Sequence, residues 1–286
     1  MSIELAKKIN GEIISADSMQ IYKYMTIGTA KPTKEEMQGI NHYLLDFLEP
    51  NKRFSVAKYK QMAEEYIEKI LSFNKVPIIV GGTGLYVNSL VDGIKFQEAE
   101  IDEKYREELK NRAEKEGLKV LYRELEQIDK NAASKISVND FKRITRALEV
   151  YKTTGKTITY QNEMSKKDGV KYDYKMFGIN MDRQLLYERI NKRVDIMISQ
   201  GLIQEVESIL SMYDEFPTAM QALGYKEVKL YFDGILTKDE MIEKIKMESR
   251  RYAKRQLTWF RRDERITWLD GLNDINNNIQ IIKELL

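Results

Sequence analysis

The stretch VPIIVGGTGLY, residues 76–86, decides the fold. Val76 to Val80 is a continuous apolar run of the kind found in a strand buried on both faces. It stops at Gly81-Gly82-Thr83-Gly84, and Leu85 to Val91 reads as the helix that follows. On the N-terminal side, Ser55 caps a long helix whose core face is Val56, Tyr59, Ala63, Tyr66, Ile67 and Ile70. Tyr43 to Leu48 reads as a strand, and so does Glu12 to Ser15, which runs straight into Ala16-Asp17-Ser18. Residues 2 to 9 read as a helix with Ile3, Ala6 and Ile9 on one face and Asn10-Gly11 as its stop. Strands alternating with helices predict an α/β fold with a parallel sheet flanked by helices. Such a sheet ordinarily opens with a strand. Here a helix comes first, so the expectation is an unfilled slot in the sheet and a chain truncated at its start.

Toward the C-terminus the pattern changes between Gln97 and Ser165. Strand signals disappear, charge rises, and helices follow one another over Asp102 to Lys115, Leu118 to Ile128 and Asp140 to Tyr151. Tyr174 to Asn180 reads as a returning strand. Helices then dominate: Arg183 to Ser199, Ile203 to Met212, Met220 to Phe232, and Lys238 to about Arg262, the last opening with a capping box from Thr237 to Glu240. Arg265 to Leu269 reads as a final strand before a C-terminal helix. The reading is a core of 1–96 and 166–286 interrupted by an all-helical insertion at 97–165.

Composition removes several chemistries. With no cysteine, disulfide frameworks, thiolate metal sites and cysteine nucleophiles are excluded. The single histidine, His42, excludes multi-histidine metal sites. No apolar run approaches the roughly 20 residues that span a bilayer, and no signal peptide opens the chain. A cytoplasmic protein without a membrane partner, acting as a monomer, is expected. The net charge of +2 conceals RRYAKRQLTWFRRDER at 250–265, dense in Arg and Lys. That run suggests a polyanionic partner, with a solvated helix as the plain alternative.

Three segments fall where α/β enzymes keep their chemistry, at the carboxyl ends of strands. Asp17-Ser18-Met19-Gln20 follows the first strand, and its aspartate reads either as a crevice-facing group or as a turn cap. Gly81 to Tyr86 combines glycines that permit close backbone approach with amides opening a helix. The third is Ile27-Gly28-Thr29-Ala30-Lys31-Pro32, a loop with a cation at its tip.

Taken in order, ISADSMQIYKYMTIGTAKP, IIVGGTGLY, DFKRITRALEVYKTTGK, MQALGYKE and RRYAKRQLTWFRR resemble the bacterial tRNA dimethylallyltransferases, the isopentenyl-diphosphate (IPP) transferase family. The resemblance covers nearly the whole chain. It implies a core like that of the P-loop NTPases. It also implies transfer of a dimethylallyl group from its diphosphate to the exocyclic amine of the adenine 3′-adjacent to the anticodon, in tRNAs reading codons that begin with U. Asp17 matches the family's general base and Thr83 the hydroxyl that bonds the bridging oxygen. Arg193 and Lys226 match positions near the diphosphate, with a structural ion pair as the alternative for either. Magnesium is implied as the cation bridging the diphosphate oxygens. On the tRNA side, Asp17, Ser18, Met19 and Gln20 match segments that hold a flipped adenine and its neighbours. So do Lys142, Arg143, Ile144, Thr145 and Arg146, together with Leu223, Gly224, Tyr225 and Lys226. Arg106 matches a further tRNA contact. In the basic helix one cationic row runs through Arg250, Lys254 and Arg261 and another through Arg251, Arg255 and Arg262; both cannot face the core, so at least one is open to phosphates, while Tyr252, Trp259 and Phe260 read as core.

The chain departs from the family's pattern in one respect. The phosphate-binding loop G-x-x-x-x-G-K-[ST] would precede Met1 and is absent. Gly155-Lys156-Thr157 copies only its tail, because Val150 stands where the first glycine is needed. Besides an active transferase, a tRNA-binding module without turnover and a nucleotide-kinase relative are therefore alternatives. The last should lack both the insertion and the basic helix.

Overall fold

Helix α1 (Ser2–Ile9) stops where Asn10 turns left-handed, with φ 52°, and its N–H bonds Ala6 O; asparagine tolerates that conformation at little cost. In this computed structural model, which describes residues 1–94, 96, 102–165 and 169–286, the chain then enters β1 (Gly11–Ser15), a strand buried at every position. Next come the short α2 (Lys34–Met37), β2 (His42–Tyr43), α3 (Val56–Ser72), β3 (Val76–Val80) and α4 (Gly84–Val91). The three strands pair in parallel in the order β2-β1-β3. Central β1 carries a buried carboxylate, Glu12. It accepts from Lys75 Nζ at 2.6 Å, Tyr43 Oη at 2.7 Å and Asn41 Nδ2 at 2.8 Å. Burial alone would raise its pKa, and these donors outweigh burial and leave it below the ordinary carboxylate value.

Two compact units are present: Met1–Asn88 with Asp173–Leu286, and Ser89–Tyr172. The sequence boundary at residue 97 lies outside the described residues. The second unit is helical, with α5 (Glu103–Glu116), α6 (Leu118–Ile128), α7 (Lys130–Ala133), α8 (Phe141–Thr154) and α9 (Ile158–Ser165). Leu109, Leu121, Leu125, Ile144 and Leu148 close its core. Gly155 is the left-handed cap of α8 and bonds Tyr151 O, so the Gly-Lys-Thr tail there is a helix stop and not a phosphate loop. Glu149 of α8 is fully buried. It accepts from Arg106 Nε at 2.8 Å, Arg106 Nη2 at 3.0 Å, Arg146 Nη1 at 2.7 Å and the Asp102 N–H at 3.2 Å.

The first unit resumes with β4 (Met176–Asn180), α10 (Arg183–Ser199), α11 (Leu202–Met212) and a single 3-10 turn at Ala219–Gln221. It continues through α12 (Tyr225–Phe232), α13 (Lys238–Phe260), β5 (Ile266–Asp270) and α14 (Ile275–Leu285). Its largest core gathers Tyr22, Met25, Leu202, Val206, Tyr225 and Met241. Strands β4 and β5 pair in parallel as a separate two-stranded sheet. Ile78 of β3 and Phe177 of β4 both pack on Leu5, Leu269, Ile279 and Ile282, so α1 and α14 cover one face of both sheets.

Three sequence readings change. The run Val76 to Val80 is not buried on both faces; Val76 is exposed and the rest are half-buried. Among the described residues β3 pairs only with β1 and β4 only with β5, so each keeps an edge without a strand. The strand expected over Tyr43 to Leu48 stops at Tyr43, because Leu44 and Asp46 take φ of 60° and 54° and turn the chain aside. The helix expected over Met220 to Phe232 is broken at Ala222, which is extended, and at Gly224, with φ 88°.

Glu149 makes stability pH-dependent in a defined window. Burial raises its carboxyl, but the Arg106 and Arg146 hydrogen bonds overcome that and hold it below the ordinary 4.5. A depressed native value contributes stability that is complete above the unfolded pKa and is lost as pH falls from 4.5 through the native value. Glu149→Gln is expected to lower stability by about 1–3 kcal/mol at pH 7 and to flatten acid unfolding of this unit. Denaturant titrations at pH 7 and below 4 measure both effects.

Candidate active site

The parallel register of β1 and β3 pairs Ser15 with Val80, so the segments leaving the two strands emerge side by side. Ala16 N–H donates to Val80 O at 2.7 Å and Thr83 N–H donates to Ala16 O at 3.1 Å. The Ser18 N–H donates to Thr83 Oγ1 at 3.0 Å, and Thr83 Oγ1 donates to Ser18 Oγ at 3.3 Å. Glycine is required at 81, because a Cβ there would meet the Ala16 carbonyl at 2.4 Å. Two of the three sequence-predicted segments therefore form one structure. Asp17 Oδ1 accepts from the N–H of Met19 at 2.7 Å and of Gln20 at 3.2 Å. Asp17 is thus a turn cap through one oxygen, and Oδ2 stays outside that turn.

The basic helix α13 closes over the glycine turn. Gln256 Nε2 donates to Gly82 O at 2.9 Å. A Cβ on Gly84 would lie 2.4 Å from Trp259 Nε1, and that indole donates to Asn88 Oδ1 at 2.8 Å. Tyr252, Gln256 and Trp259 are spaced by four and three residues, so they line one side of the helix. Burial and then the Asp17 carboxylate raise the Tyr252 phenol, against which Gln256 and Thr83 act as hydrogen-bonding neighbours. The expectation that Tyr252, Trp259 and Phe260 are core is corrected: Tyr252 and Trp259 stay 36% and 40% exposed, laid over the glycines. The core stripe of α13 lies in its first half, at Met241 and Ile245. These neighbours also explain the glycines, whose open space is filled by Ala16, Gln256 and Trp259 of the chain itself.

The third segment is a latch within the fold. Lys31 is buried, and its ammonium donates to Tyr22 O at 2.6 Å and Asp46 Oδ1 at 2.5 Å. No free cation stands at the loop's tip. The Gln20 side-chain amide donates to Thr29 O at 3.1 Å and Ala30 O at 3.2 Å, which ties this loop to the Asp17 turn. Tyr225 is fully buried and Gly28 packs against its ring, where a Cβ would approach to 2.4 Å. Lys226, beside it, holds its ammonium 3.4 Å from buried Glu227 with its side chain 41% exposed. Arg193 is exposed on α10, joined to neither Asp17 nor Thr83.

Neither cationic row of α13 faces the core. Arg250 bonds Asn191, Arg251 pairs with Glu248 and Arg261 bonds Asn180. Lys254, Arg255 and Arg262 are exposed, with the Arg255 guanidinium 5.8 Å from the Tyr252 ring centroid. In the helical unit, Lys142 and Arg143 are exposed. Ile144 and Thr145 are buried, and Thr145 Oγ1 donates to Phe141 O at 2.8 Å. Arg106 and Arg146 keep side-chain exposures of 35% and 41% beside Glu149. Among the described residues no three or more His, Asp or Glu side chains converge as a metal cage, and no helix is long and apolar enough to cross a membrane.

A carboxylate and a hydroxyl at the ends of adjacent parallel strands, under a basic helix, stand where enzymes of the parallel α/β class bind their ligands. Residues 20–263 match the IPP transferase family, and the chain belongs to that family. It is 49% identical over 286 residues to the tRNA dimethylallyltransferase of Acetivibrio thermocellus, spanning 100% of this chain and 91% of that protein. It is 53% identical over 271 residues to that of Carboxydothermus hydrogenoformans, covering 95% and 87% of the two chains. Among solved structures it is similar to the tRNA isopentenylpyrophosphate transferase of Bacillus halodurans, with 42% identity, a TM-score of 0.73 and coverage of 99% and 89%. A eukaryotic dimethylallyltransferase acting on tRNA superposes with a TM-score of 0.82 at 28% identity, covering 99% and 75%.

The close approach at Gly81 predicts an asymmetry between adjacent glycines. Gly81→Ala pushes backbone on backbone, whereas Gly82→Ala displaces only the end of the Gln256 side chain. Gly81→Ala is expected to cost about 1–3 kcal/mol and Gly82→Ala less, read as shifts in the urea midpoint at constant slope.

Proposed function

We propose that the chain transfers a dimethylallyl group from dimethylallyl diphosphate to the exocyclic amine of the adenine 3′-adjacent to the anticodon, in tRNAs reading codons that begin with U. The observation that carries this reading is the hydrogen bond from the Ser18 main chain to the Thr83 hydroxyl. It ties the Asp17 turn to the Thr83 hydroxyl at the ends of two adjacent strands, which supports a shared role for the two side chains.

The amine is a poor nucleophile because its lone pair is shared with the ring. The donor's carbon–oxygen bond therefore breaks towards an allylic cation, its electron pair leaving with the diphosphate. The nitrogen bonds that carbon and a proton leaves the nitrogen. Asp17, through its free Oδ2, takes the proton. Thr83 donates to the bridging oxygen as charge grows there, giving up its long 3.3 Å bond to Ser18. A base stacked in the anticodon loop cannot be reached, so it is flipped out of the stack. The exposed Lys254 and Arg255, with Lys142 and Arg143 of the helical unit, supply phosphate contacts. Lys226 and Arg193 serve the diphosphate. Magnesium would ride on the diphosphate; among the described residues no cage of three or more His, Asp or Glu side chains offers it a site, and it is assigned no ligand. Action on tRNA supports a cytoplasmic location.

Single-turnover transfer of labelled dimethylallyl to an anticodon stem-loop tests the roles. Thr83→Val is expected to lower the rate about 10²–10³-fold, and Asp17→Ala about 10²–10⁴-fold with stem-loop binding retained. Turnover unchanged in Asp17→Ala removes it from the base role. Bound stem-loop without transfer at any donor concentration instead supports a tRNA-binding module.

Removing Lys254 and Arg255 together should weaken stem-loop binding across all loop sequences. It should also reduce the slope of log affinity against log salt by about 1 for each phosphate no longer neutralised. Fluorescence anisotropy over a salt series measures it.

A further inference from the structure

We propose that Glu205 is a positioning residue for the transfer, locking the segment after Asp17 to the segment around Lys226; this rests on the transferase reading above. Glu205 belongs to α11 and lies about 180 residues in sequence from the loop it holds, with separations of 179, 178 and 177. Its Oε2 accepts from the main-chain N–H of Thr26 at 3.0 Å and of Ile27 at 2.8 Å. Its Oε1 accepts from the N–H of Gly28 at 3.2 Å and from the Tyr225 hydroxyl at 2.5 Å.

Three successive amides facing one way form a concavity that suits an anion, and here a carboxylate of the chain itself occupies it. The loop's other polar groups are already committed. Lys31 N–H closes onto Thr26 O at 3.0 Å, and Thr29 Oγ1 donates to Met25 O at 2.6 Å. The N–H groups of Ile27 and Gly28 have Glu205 as their acceptor, while that of Thr26 also reaches Tyr24 O at 3.2 Å, so removing Glu205 leaves the first two exposed to water or unpaired.

The consequence reaches the site from both sides. Gln20, the last residue of the Asp17 turn, grips the same loop through Thr29 O and Ala30 O. Tyr225 immediately precedes Lys226. Burial and then the Glu205 carboxylate hold its phenol far above the ordinary value, so it remains a donor throughout the working range. One carboxylate thus fixes the separation of two candidate acceptor-binding segments without touching substrate itself. A displacement of about 1 Å at such a support costs on the order of 10²-fold in rate.

The experiment compares wild type, Glu205→Ala, Glu205→Gln, Tyr225→Phe and Ile209→Ala, the last a cavity control buried on the same helix. Single-turnover rate, stem-loop half-saturation and thermal midpoint are measured for each. Glu205→Ala is expected to lose about 10²-fold in rate or half-saturation. Glu205→Gln, which keeps one oxygen acceptor, should fall between. Tyr225→Phe should lose less, and should add nothing in the Glu205→Ala background. Ile209→Ala should lower the midpoint with kinetics unchanged. Equal kinetics for Glu205→Ala and Ile209→Ala at matched midpoints would overturn the positioning role. If Glu205→Ala does not fold, Glu205→Gln and Tyr225→Phe with wild-type kinetics overturn it equally. A wild-type chain that transfers nothing counts against the transferase reading; a transferring wild type with indifferent variants counts only against Glu205.

Discussion

The close approach of Gly81 to the Ala16 carbonyl is the constraint on which the site depends. It exists because β1 and β3 are adjacent and parallel, so their carboxyl ends release chain at one place. Without a side chain at Gly81, Thr83 reaches back to Ala16 O and presents its hydroxyl to the Ser18 N–H. Each further hydrogen bond narrows the position of Asp17, whose Oδ1 is spent on its own turn. A carboxylate and a hydroxyl are thereby held by main-chain hydrogen bonds at the ends of two adjacent strands.

The surrounding helices use charge and aromatic surface for two purposes at once. Gln256 and Trp259 of α13 seal the glycine turn, while Lys254 and Arg255 on the same helix stay exposed. In the helical unit, Glu149 pairs with both Arg106 and Arg146 without burying either completely, leaving a net positive charge. Such guanidiniums are fixed in place yet retain donors for a phosphate. Internal carboxylates recur as organisers: Glu12 under the sheet, Glu149 in the helical core and Glu205 behind the loop at Thr26 to Gly28.

Elements with local signals were legible in the sequence. Helix Arg183–Ser199 and the capping box at Thr237 were read to the residue, and α1 ended at Asn10 as its stop signal required. The placement of Asp17 and Thr83 just past strand ends was legible because each follows an apolar run that forms a strand. What failed depended on conformation or distance. Nothing local in Leu44 and Asp46 announces a left-handed turn. Helical periodicity shows that Tyr252 and Trp259 share a side of α13 but not that the side covers a glycine turn. The partnership of Glu205 with Thr26 to Gly28 spans too much sequence for any pattern to reveal. Lys31 looked like an available cation because the pairing with Asp46 depends on that same left-handed turn.

Mapping the modified nucleoside in whole tRNA gives the most direct measurement. After incubation with labelled dimethylallyl diphosphate, nuclease digestion and mass spectrometry locate the label. The predicted result is a single isopentenyl unit on the exocyclic amine of the adenine 3′-adjacent to the anticodon, absent when that base is guanine. Label on another nucleotide, or label that survives replacement of that adenine, would contradict the assignment of Asp17 and Thr83 to one flipped-base site.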